Sequence, residues 1–175
     1  MCYRAAIVRG GLPIPIGRRA GGGELTDNSP KAVVLRHIEL YSDGTPDSYG
    51  SDRWLDVWAE DSAQEFLPSA QFPKGMRFEG KAAIRENLRE VSATWRDRRQ
   101  VVHDIIAEGD RVALLSTWSA FPATDLGPIK AGTRMRLECT DFFRVKDGLI
   151  AEMIDNVGAM ALAETKPERL RNHNG

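Results

Sequence analysis

The second half of the chain is dominated by four stretches in which apolar and polar residues alternate, arranged as two pairs around short glycine-containing turns. Alternation with a period of two is typical of strands with one buried face, and a short turn with glycine between two such strands is typical of a hairpin. The predicted strands are 100–107 and 111–120 around Glu108-Gly109-Asp110, and 133–145 and 149–157 around Lys146-Asp147-Gly148. A fold for this chain must therefore cover one face of two long antiparallel hairpins.

Most of the predicted helix lies in the first half of the chain. Residues 28–44 begin with Asn28 or Ser29 as a cap, followed by Pro30, and end at Gly44, and these residue types are preferred at helix ends. Further helices are predicted over 52–61, 81–95 and 159–165, and short strands over 63–67 and 76–79. Because the main helices precede the hairpins instead of alternating with strands, the predicted fold class is α+β.

Composition excludes several classes of function. The chain has 24 Lys and Arg residues against 25 Asp and Glu, a formal net charge of -1, so we expect no nucleic acid and no membrane partner. The two cysteines, Cys2 and Cys139, and three scattered histidines predict no disulfide framework and no metal site. Since no phosphate-binding or dinucleotide-binding glycine motif is present, we expect no cofactor. The expected location is the cytoplasm.

The two ends of the chain differ from its centre. Residues 1–27 contain six of the 16 glycines and no periodic apolar face, which predicts a flexible or extended N-terminal arm. The alternative is an arm that packs on a partner subunit. We expect one domain over residues 28–165 and a C-terminal tail over 166–175.

Asp141 interrupts the apolar face of the strand predicted over 133–145. It alternates with Leu137, Cys139, Phe143 and Val145, so its carboxyl is expected to be buried. A buried carboxyl must be hydrogen-bonded or protonated. Asp141 therefore either holds a backbone amide or loop, or works chemically in a pocket.

Asp155 is predicted to lie beside Asp141. If 146–148 forms a three-residue turn, Val145 pairs with Leu149, and Asp155 is a diagonal neighbour of Asp141 on the same face, at about 5.5–8 Å. Two such carboxyls do not readily ionise together, so one pKa should be raised, as acid–base catalysis at neutral pH requires. A change of register by one residue would turn Asp155 to the other face.

Histidine and aromatic residues supply further candidates. His103 shares a face with Val101 and Ile105 and is predicted to lie opposite Ser116, and His37 lies on the apolar side of the first helix. A single histidine on an apolar face is either a ligand contact or a hydrogen-bonded core residue. The same two interpretations, core or pocket wall, apply to the tryptophans: Trp54, Trp58, Trp95 and Trp118.

Three segments resemble a known superfamily. They read WAEDSAQEF at 58–66, FEGKAAIR at 78–85 and DFFRVKDGLIAE at 141–152. Together they are similar to the nuclear transport factor 2-like fold, and within it to the SnoaL-like family that includes polyketide cyclases. The resemblance implies a cone-shaped α+β barrel, in which three helices pack on a strongly curved mixed or antiparallel sheet. It also implies a central pocket for a small hydrophobic molecule and a homodimer formed through the outer face of the sheet.

The resemblance also implies roles for individual residues. Asp155 is similar to the acidic residue that acts as acid and base in the cyclases. Asp141 and His37 are similar in position to the aspartic acid and tyrosine that hold the carbonyl oxygen in ketosteroid isomerases, whereas Phe66 replaces the aspartate that moves the proton there. The expected substrate contacts are His103, Trp54, Trp58, Phe66, Trp118 and Met153.

Two functions of different classes follow. The first is cofactor-free acid–base chemistry, namely cyclisation, isomerisation or dehydration of a hydrophobic carbonyl compound, with Asp155, Asp141 and His37 as catalytic residues. The second is a non-catalytic module that binds a hydrophobic ligand or associates as a dimer. The paired aspartates favour the enzyme, and Phe66 favours the binding module.

Overall fold

A computed structural model of the chain describes residues 27–42 and 53–163. These residues form two α-helices, one 3-10 helix and seven strands. In chain order they are α1 (Pro30–Tyr41), the 3-10 helix (Arg53–Val57), β1 (Trp58–Phe66), β2 (Met76–Glu79), α2 (Lys81–Thr94), β3 (Trp95–Glu108), β4 (Arg111–Pro122), β5 (Met135–Lys146), β6 (Leu149–Val157) and β7 (Ala161–Leu162). The predicted arm, except for Asp27, and the predicted tail lie outside the described residues.

The seven strands form one mixed sheet with the order β2-β1-β6-β5-β4-β3, and β7 pairs with β5. Strands β3 to β6 are antiparallel neighbours in chain order, so the two predicted hairpins are confirmed. Strand β1 is parallel to β6 and antiparallel to β2. The expected α+β class is therefore confirmed, with two α-helices in place of the three that were expected.

Both α-helices cover the same face of the sheet, which we call the inner face. Helix α1 begins at the Ser29 cap, whose side chain accepts from the backbone N–H of Ala32, and it buries Val33 and Val34 completely. These side chains share one core with Ile84 of α2 and Phe143 of β5. The opposite side of the sheet, which we call the outer face, carries Ile106, Leu115 and Phe142 as exposed apolar side chains.

The helix predicted over 52–61 was wrong beyond its first turn. The 3-10 helix ends at Val57, and Trp58 already belongs to β1, where it pairs with Ile150 of β6. Residues 58–61 lack the alternation of a strand, because β1 is irregular between Trp58 and Ala63. The pairing with β6, which lies about 90 residues away, determines the strand here.

The helix predicted over 159–165 was also wrong in its described part. Ala161 and Leu162 form β7 against Met135 and Arg136 of β5. The backbone N–H of Gly158 donates to the carbonyl oxygen of Glu138 at 2.8 Å, and this bond turns the chain back along β5. Sheet pairing therefore outcompetes the local helical pattern.

The register between β5 and β6 also differs from the predicted one. Lys146 pairs with Leu149, which leaves a two-residue turn, Asp147-Gly148, with φ values of 52° and 76°. This is the left-handed backbone that tight hairpins require. A bulge then shifts the register by one more residue, since Val145 pairs with Ile150 but Arg144 pairs with Glu152. Because two shifts of one residue cancel in the alternation, Met153 and Asp155 beyond the bulge keep their predicted face, whereas before it Leu149 is exposed and Ile150 is buried, the reverse of the prediction.

We expect the loop between β1 and β2 to depend on Gly75. Its φ is 68°, and a Cβ atom added there would lie 2.8 Å from the carbonyl oxygen of Phe66. Gly75→Ala should lower the free energy of unfolding by more than the roughly 1–2 kcal/mol that left-handed backbone alone costs. The matched control is Gly132→Ala, where φ is 79° and no atom lies within 4 Å of the added Cβ. Equal losses of stability on thermal denaturation would contradict this prediction.

Candidate functional site

A cavity of about 190 Å³ lies between the two α-helices and the inner face of the sheet. Its walls are mostly aromatic and aliphatic, and its polar groups come from few side chains, as in small-molecule sites. An apolar cavity of about 150 Å³ accepts benzene, so this one has the size for a slightly larger single-ring compound. The lining residues used below are His37, Tyr41, Trp54, Gln64, Phe66, Gln71, Gln100, Trp118, Met153 and Asp155.

Asp141 and Asp155 lie directly opposite each other on β5 and β6. The structure thus brings them closer than the diagonal arrangement that the sequence predicted. Asp155 is 5% exposed and lines the cavity, whereas Asp141 is 0% exposed and lies outside the lining. A ligand in the cavity can contact Asp155 but not Asp141.

Each carboxyl receives a hydrogen bond from a glutamine on a different strand. Gln64 of β1 donates through Nε2 to Oδ2 of Asp155 at 2.9 Å. Gln100 of β3 donates through Nε2 to Oδ2 of Asp141 and to Oγ of Ser116, both at 2.9 Å. Oδ1 of Asp141 has no donor from another described side chain, and it is left to interact with Asp155.

The pKa values of both carboxyls are raised. Burial is the main cause for Asp141, and the neighbouring charge of Asp155 adds to it, so its pKa lies well above the usual 3.8. Burial raises the pKa of Asp155 to about 6, while hydrogen bonds from Gln64 and Asp141 act in the opposite direction. At neutral pH the arrangement therefore favours a protonated Asp141 that donates to an ionised Asp155.

His37 has a different environment from the one expected. It lines the cavity, but its Nδ1 accepts from the indole N–H of Trp58 at 3.2 Å, which leaves the proton on Nε2. That nitrogen is hydrogen-bonded to the backbone of Trp54, and burial lowers the pKa of His37 to about 3. The expected donation from His37 to a carbonyl oxygen is thus not supported, and His37 is a neutral, hydrogen-bonded core histidine.

Tyr41, one turn after His37, was not singled out from the sequence. The indole N–H of Trp118 donates to its hydroxyl oxygen at 2.9 Å, so the phenolic O–H is available to a ligand. Burial raises the pKa of Tyr41, opposed by the charge of Arg98, whose guanidinium lies 4.8 Å from the ring centre. The phenol therefore keeps its proton at neutral pH and can act as a hydrogen-bond donor.

The expected substrate contacts divide into two groups. Trp54, Phe66, Trp118 and Met153 line the cavity. Trp58 is buried behind His37 instead. The placement expected for His103 was wrong, because a bulge between Val102 and Asp104 turns it to the exposed side, where its Nε2 lies 2.7 Å from Oγ1 of Thr117.

The glutamines were missed because nothing in their local sequence distinguishes them. Gln64 and Gln100 are 36 positions apart, on strands that flank the carboxyl pair from opposite sides. The one available signal for Gln64 was that it alternates with Phe66 and so shares a face of β1 with that apolar side chain.

Over 27–42 and 53–163, no group of three or more His, Cys, Asp or Glu side chains could hold a metal ion. Across these two ranges, no helix is long and apolar enough to cross a membrane.

The sheet order and the cavity beneath two helices define a nuclear transport factor 2-like fold with an acid pair at its base. The model of the SnoaL-like domain family matches residues 34–153, and the chain belongs to this family. No curated protein matches the sequence.

Solved structures share the fold at low sequence identity. IdmH from Streptomyces antibioticus, provisionally assigned as a polyketide cyclase, is 18% identical with a TM-score of 0.58, over 73% of this chain and 91% of that one. A provisionally assigned polyketide cyclase from Xanthomonas campestris is 24% identical with a TM-score of 0.56, over 73% and 88%. A protein with a ketosteroid isomerase-like fold from Catenulispora acidiphila, solved with trimethylamine, is 15% identical with a TM-score of 0.54, over 70% of this chain and 82% of that one.

We expect the carboxyl pair to reduce stability at high pH. Since folding raises the pKa of Asp155 from 3.8 to about 6, protonation favours the folded chain, and this stabilisation is present below pH 3.8 and lost as pH rises through about 6. Asp155→Asn should therefore gain up to about 3 kcal/mol over the wild type at pH 8 and little at pH 4. Thermal unfolding at both pH values measures this.

The control for this prediction is Asp61→Asn, at an exposed position of β1. It should change stability equally at the two pH values. A loss of stability in Asp155→Asn at pH 8 as well as pH 4 would show that the ionised carboxyl is better accommodated than its burial implies.

Proposed function

We propose that the protein catalyses acid–base chemistry on a small hydrophobic carbonyl compound bound in the cavity. The observation that carries this proposal is Asp155, a buried carboxyl with a pKa of about 6 in a largely apolar cavity. A base with a pKa near the working pH is efficient at moving protons. Its family and its fold are those of proteins assigned as polyketide cyclases, which favours this class of reaction.

The first step would be removal of a proton from the carbon next to the carbonyl group. The electron pair of that C–H bond forms the C=C bond of an enolate, the π electron pair of the carbonyl group moves to its oxygen, and the proton moves to Asp155. Two donors of the cavity wall are available to the developing negative charge, the phenolic O–H of Tyr41 and the indole N–H of Trp54, which has no partner among the described residues. Donors placed where charge develops lower the barrier.

Asp141 would act as a positioning residue through Asp155. Its proton stabilises the ionised form of Asp155 and keeps the pKa of that base near neutrality. Return of the proton to another carbon would give isomerisation, loss of a leaving group would give dehydration, and attack of the carbanion on a second carbonyl would give cyclisation. All three reactions share the first step.

A non-catalytic binding module is the second candidate, and Phe66 favours it. Phe66 lines the cavity and packs on Phe72 with ring centres 4.8 Å apart, at the position where the resemblance to ketosteroid isomerases places the proton-moving aspartate. Phe66 pairs with Asp155 in the register of β1 and β6, so an apolar ring lies beside the base where the resemblance places a second carboxyl. Binding without turnover would be the outcome if Asp155 does not exchange protons with a ligand.

The test is exchange of the α-hydrogens of acetophenone for deuterium in D₂O, followed by proton NMR. We expect the wild type to accelerate exchange, and Asp155→Asn to lower the rate by about 10²–10⁴-fold, the usual contribution of a general base. The rate should rise as pH increases through about 6, since Asp155 must be ionised to accept the proton.

The control is His103→Ala, an exposed residue outside the cavity lining, which should exchange at the wild-type rate. Equal rates for the wild type and Asp155→Asn, with acetophenone bound to both, would contradict the catalytic proposal and support the binding module.

We also propose that the protein forms a homodimer through the outer face of the sheet. Ile106, Ala113, Phe142 and Ile154 pair in register across four neighbouring strands and form one apolar row. Ile106 is 67% exposed and Phe142 49% exposed. A continuous apolar row of this kind on a sheet face marks an interaction surface.

Light scattering should give a mass near twice 19.4 kDa for the wild type. Phe142→Lys should give the monomer mass, because it places a charge in the centre of the row. Leu35→Lys, at a 40% exposed position of α1, is the matched control and should leave the dimer intact. A wild-type monomer at micromolar concentration would contradict the proposal.

A further inference from the structure

The side-chain amide of Gln64 donates a hydrogen bond through its NH₂ group, whereas its oxygen has no hydrogen-bond partner among the described residues. Its Nε2 donates to Asp155 at 2.9 Å. Its Oε1 is buried and has no hydrogen-bond partner within 27–42 and 53–163, and the residue is only 7% exposed and lines the cavity. A buried carbonyl oxygen without a donor is costly, so such groups have a partner in the working state of a protein.

The orientation of this amide is determined by Asp155. An ionised carboxylate can only accept hydrogen bonds, so the NH₂ end of Gln64 must face Asp155 and the oxygen must face away from it. Rotating the amide by 180° would place oxygen against carboxylate. As long as Asp155 is ionised, Oε1 of Gln64 therefore stays without a hydrogen-bond donor from Asp155.

A second acceptor lies in the same cavity. Oε1 of Gln71, on the loop between β1 and β2, is also buried without a partner in the described part of the chain. Two residues that line the cavity thus hold amide oxygens without a donor, whereas the available donors come from Trp54 and Tyr41. A ligand that matches this wall carries O–H or N–H groups as well as a carbonyl oxygen.

We propose that Gln64 is a specificity-determining residue, which selects compounds with a hydroxyl or N–H donor close to the carbon that Asp155 deprotonates. This inference rests on the proposed function, since it assumes that the ligand binds beside Asp155. The substrate class is then a small hydroxylated carbonyl compound, and an apolar analogue of the same shape binds less well because it leaves Oε1 of Gln64 unpaired.

A matched pair of probes tests the inference without turnover. p-Cresol and p-xylene differ by one hydroxyl in place of one methyl group, and both are single-ring compounds suited to a cavity of about 190 Å³. Calorimetry on the full chain measures their dissociation constants. We expect the wild type to bind p-cresol at least about fivefold more tightly than p-xylene.

The variant is Gln64→Met, which keeps the length of the side chain and removes the acceptor. It should reduce the preference, because the hydroxyl of p-cresol loses one acceptor, while Asp155 and Oε1 of Gln71 remain in the cavity. Gln64→Glu, measured below pH 6 so that the new carboxyl can be protonated and donate to Asp155, keeps one acceptor oxygen and should retain at least part of the wild-type preference.

A second measurement checks the orientation of the amide. Since the hydrogen bond from Gln64 lowers the pKa of Asp155, Gln64→Met should raise that pKa above about 6 in a carboxyl titration followed by carbon-13 NMR. A role in packing alone would not move this pKa. An unchanged pKa would show that the amide does not donate to Asp155, and it would overturn the inference.

The outcomes separate this inference from the function on which it rests. Equal affinities for the two probes in the wild type, or the same preference in Gln64→Met, would overturn the role of Gln64 and leave acid–base chemistry at Asp155 standing. Failure of both probes to bind the wild type would overturn the role of Gln64 together with the proposed use of the cavity. If Asp155→Asn loses deuterium exchange but the wild type binds p-cresol and p-xylene equally, acid–base catalysis at Asp155 would be supported. The role of Gln64 in specificity would be contradicted.

Discussion

The burial of two carboxyl groups opposite each other is the constraint on which the rest of this structure depends. Asp141 and Asp155 lie on neighbouring strands with almost no access to water. Their burial is tolerated because the pair keeps one proton and each carboxyl accepts a hydrogen bond from a glutamine amide. The amides come from Gln64 and Gln100, on strands that flank the pair. With Ser116 of β4, which accepts from the same Gln100 amide, five strands of the sheet contribute to one hydrogen-bonded group.

The same arrangement divides two roles between two carboxyl groups, since one keeps a proton and the other is free to accept one. Asp141 is excluded from the cavity and its raised pKa favours the protonated form, whereas Asp155 reaches the cavity and, with a pKa of about 6, is mostly ionised at neutral pH. Helix α1 closes the site with His37, whose Nδ1 accepts from Trp58, and with Tyr41, whose oxygen accepts from Trp118 while its O–H stays available to a ligand. The polar groups of the cavity that have no partner then determine which hydrogen-bonding groups a ligand needs.

The sequence predicted the hairpins well because their patterns are local. The bounds of β2 and β6 and the burial of Asp141 follow from alternation and turn residues that lie side by side in the chain. The bulge near Ala151 left no such signal, because it arises where β6 pairs with β1 on one edge and β5 on the other. The glutamines could not be found for the same reason, since only the strand order brings them to the carboxyls.

The parallel pairing of β1 with β6 has a consequence for how the protein reaches its native state. Strands β3 to β6 follow one another and can form from nearby segments, but the bond between Gln64 and Asp155 joins residues 91 positions apart. Contacts of such long range are slow to form, because a large loop must close before they contribute. We therefore expect the site to mature last during folding, with a partly assembled sheet that exposes both aspartates to water until β1 docks.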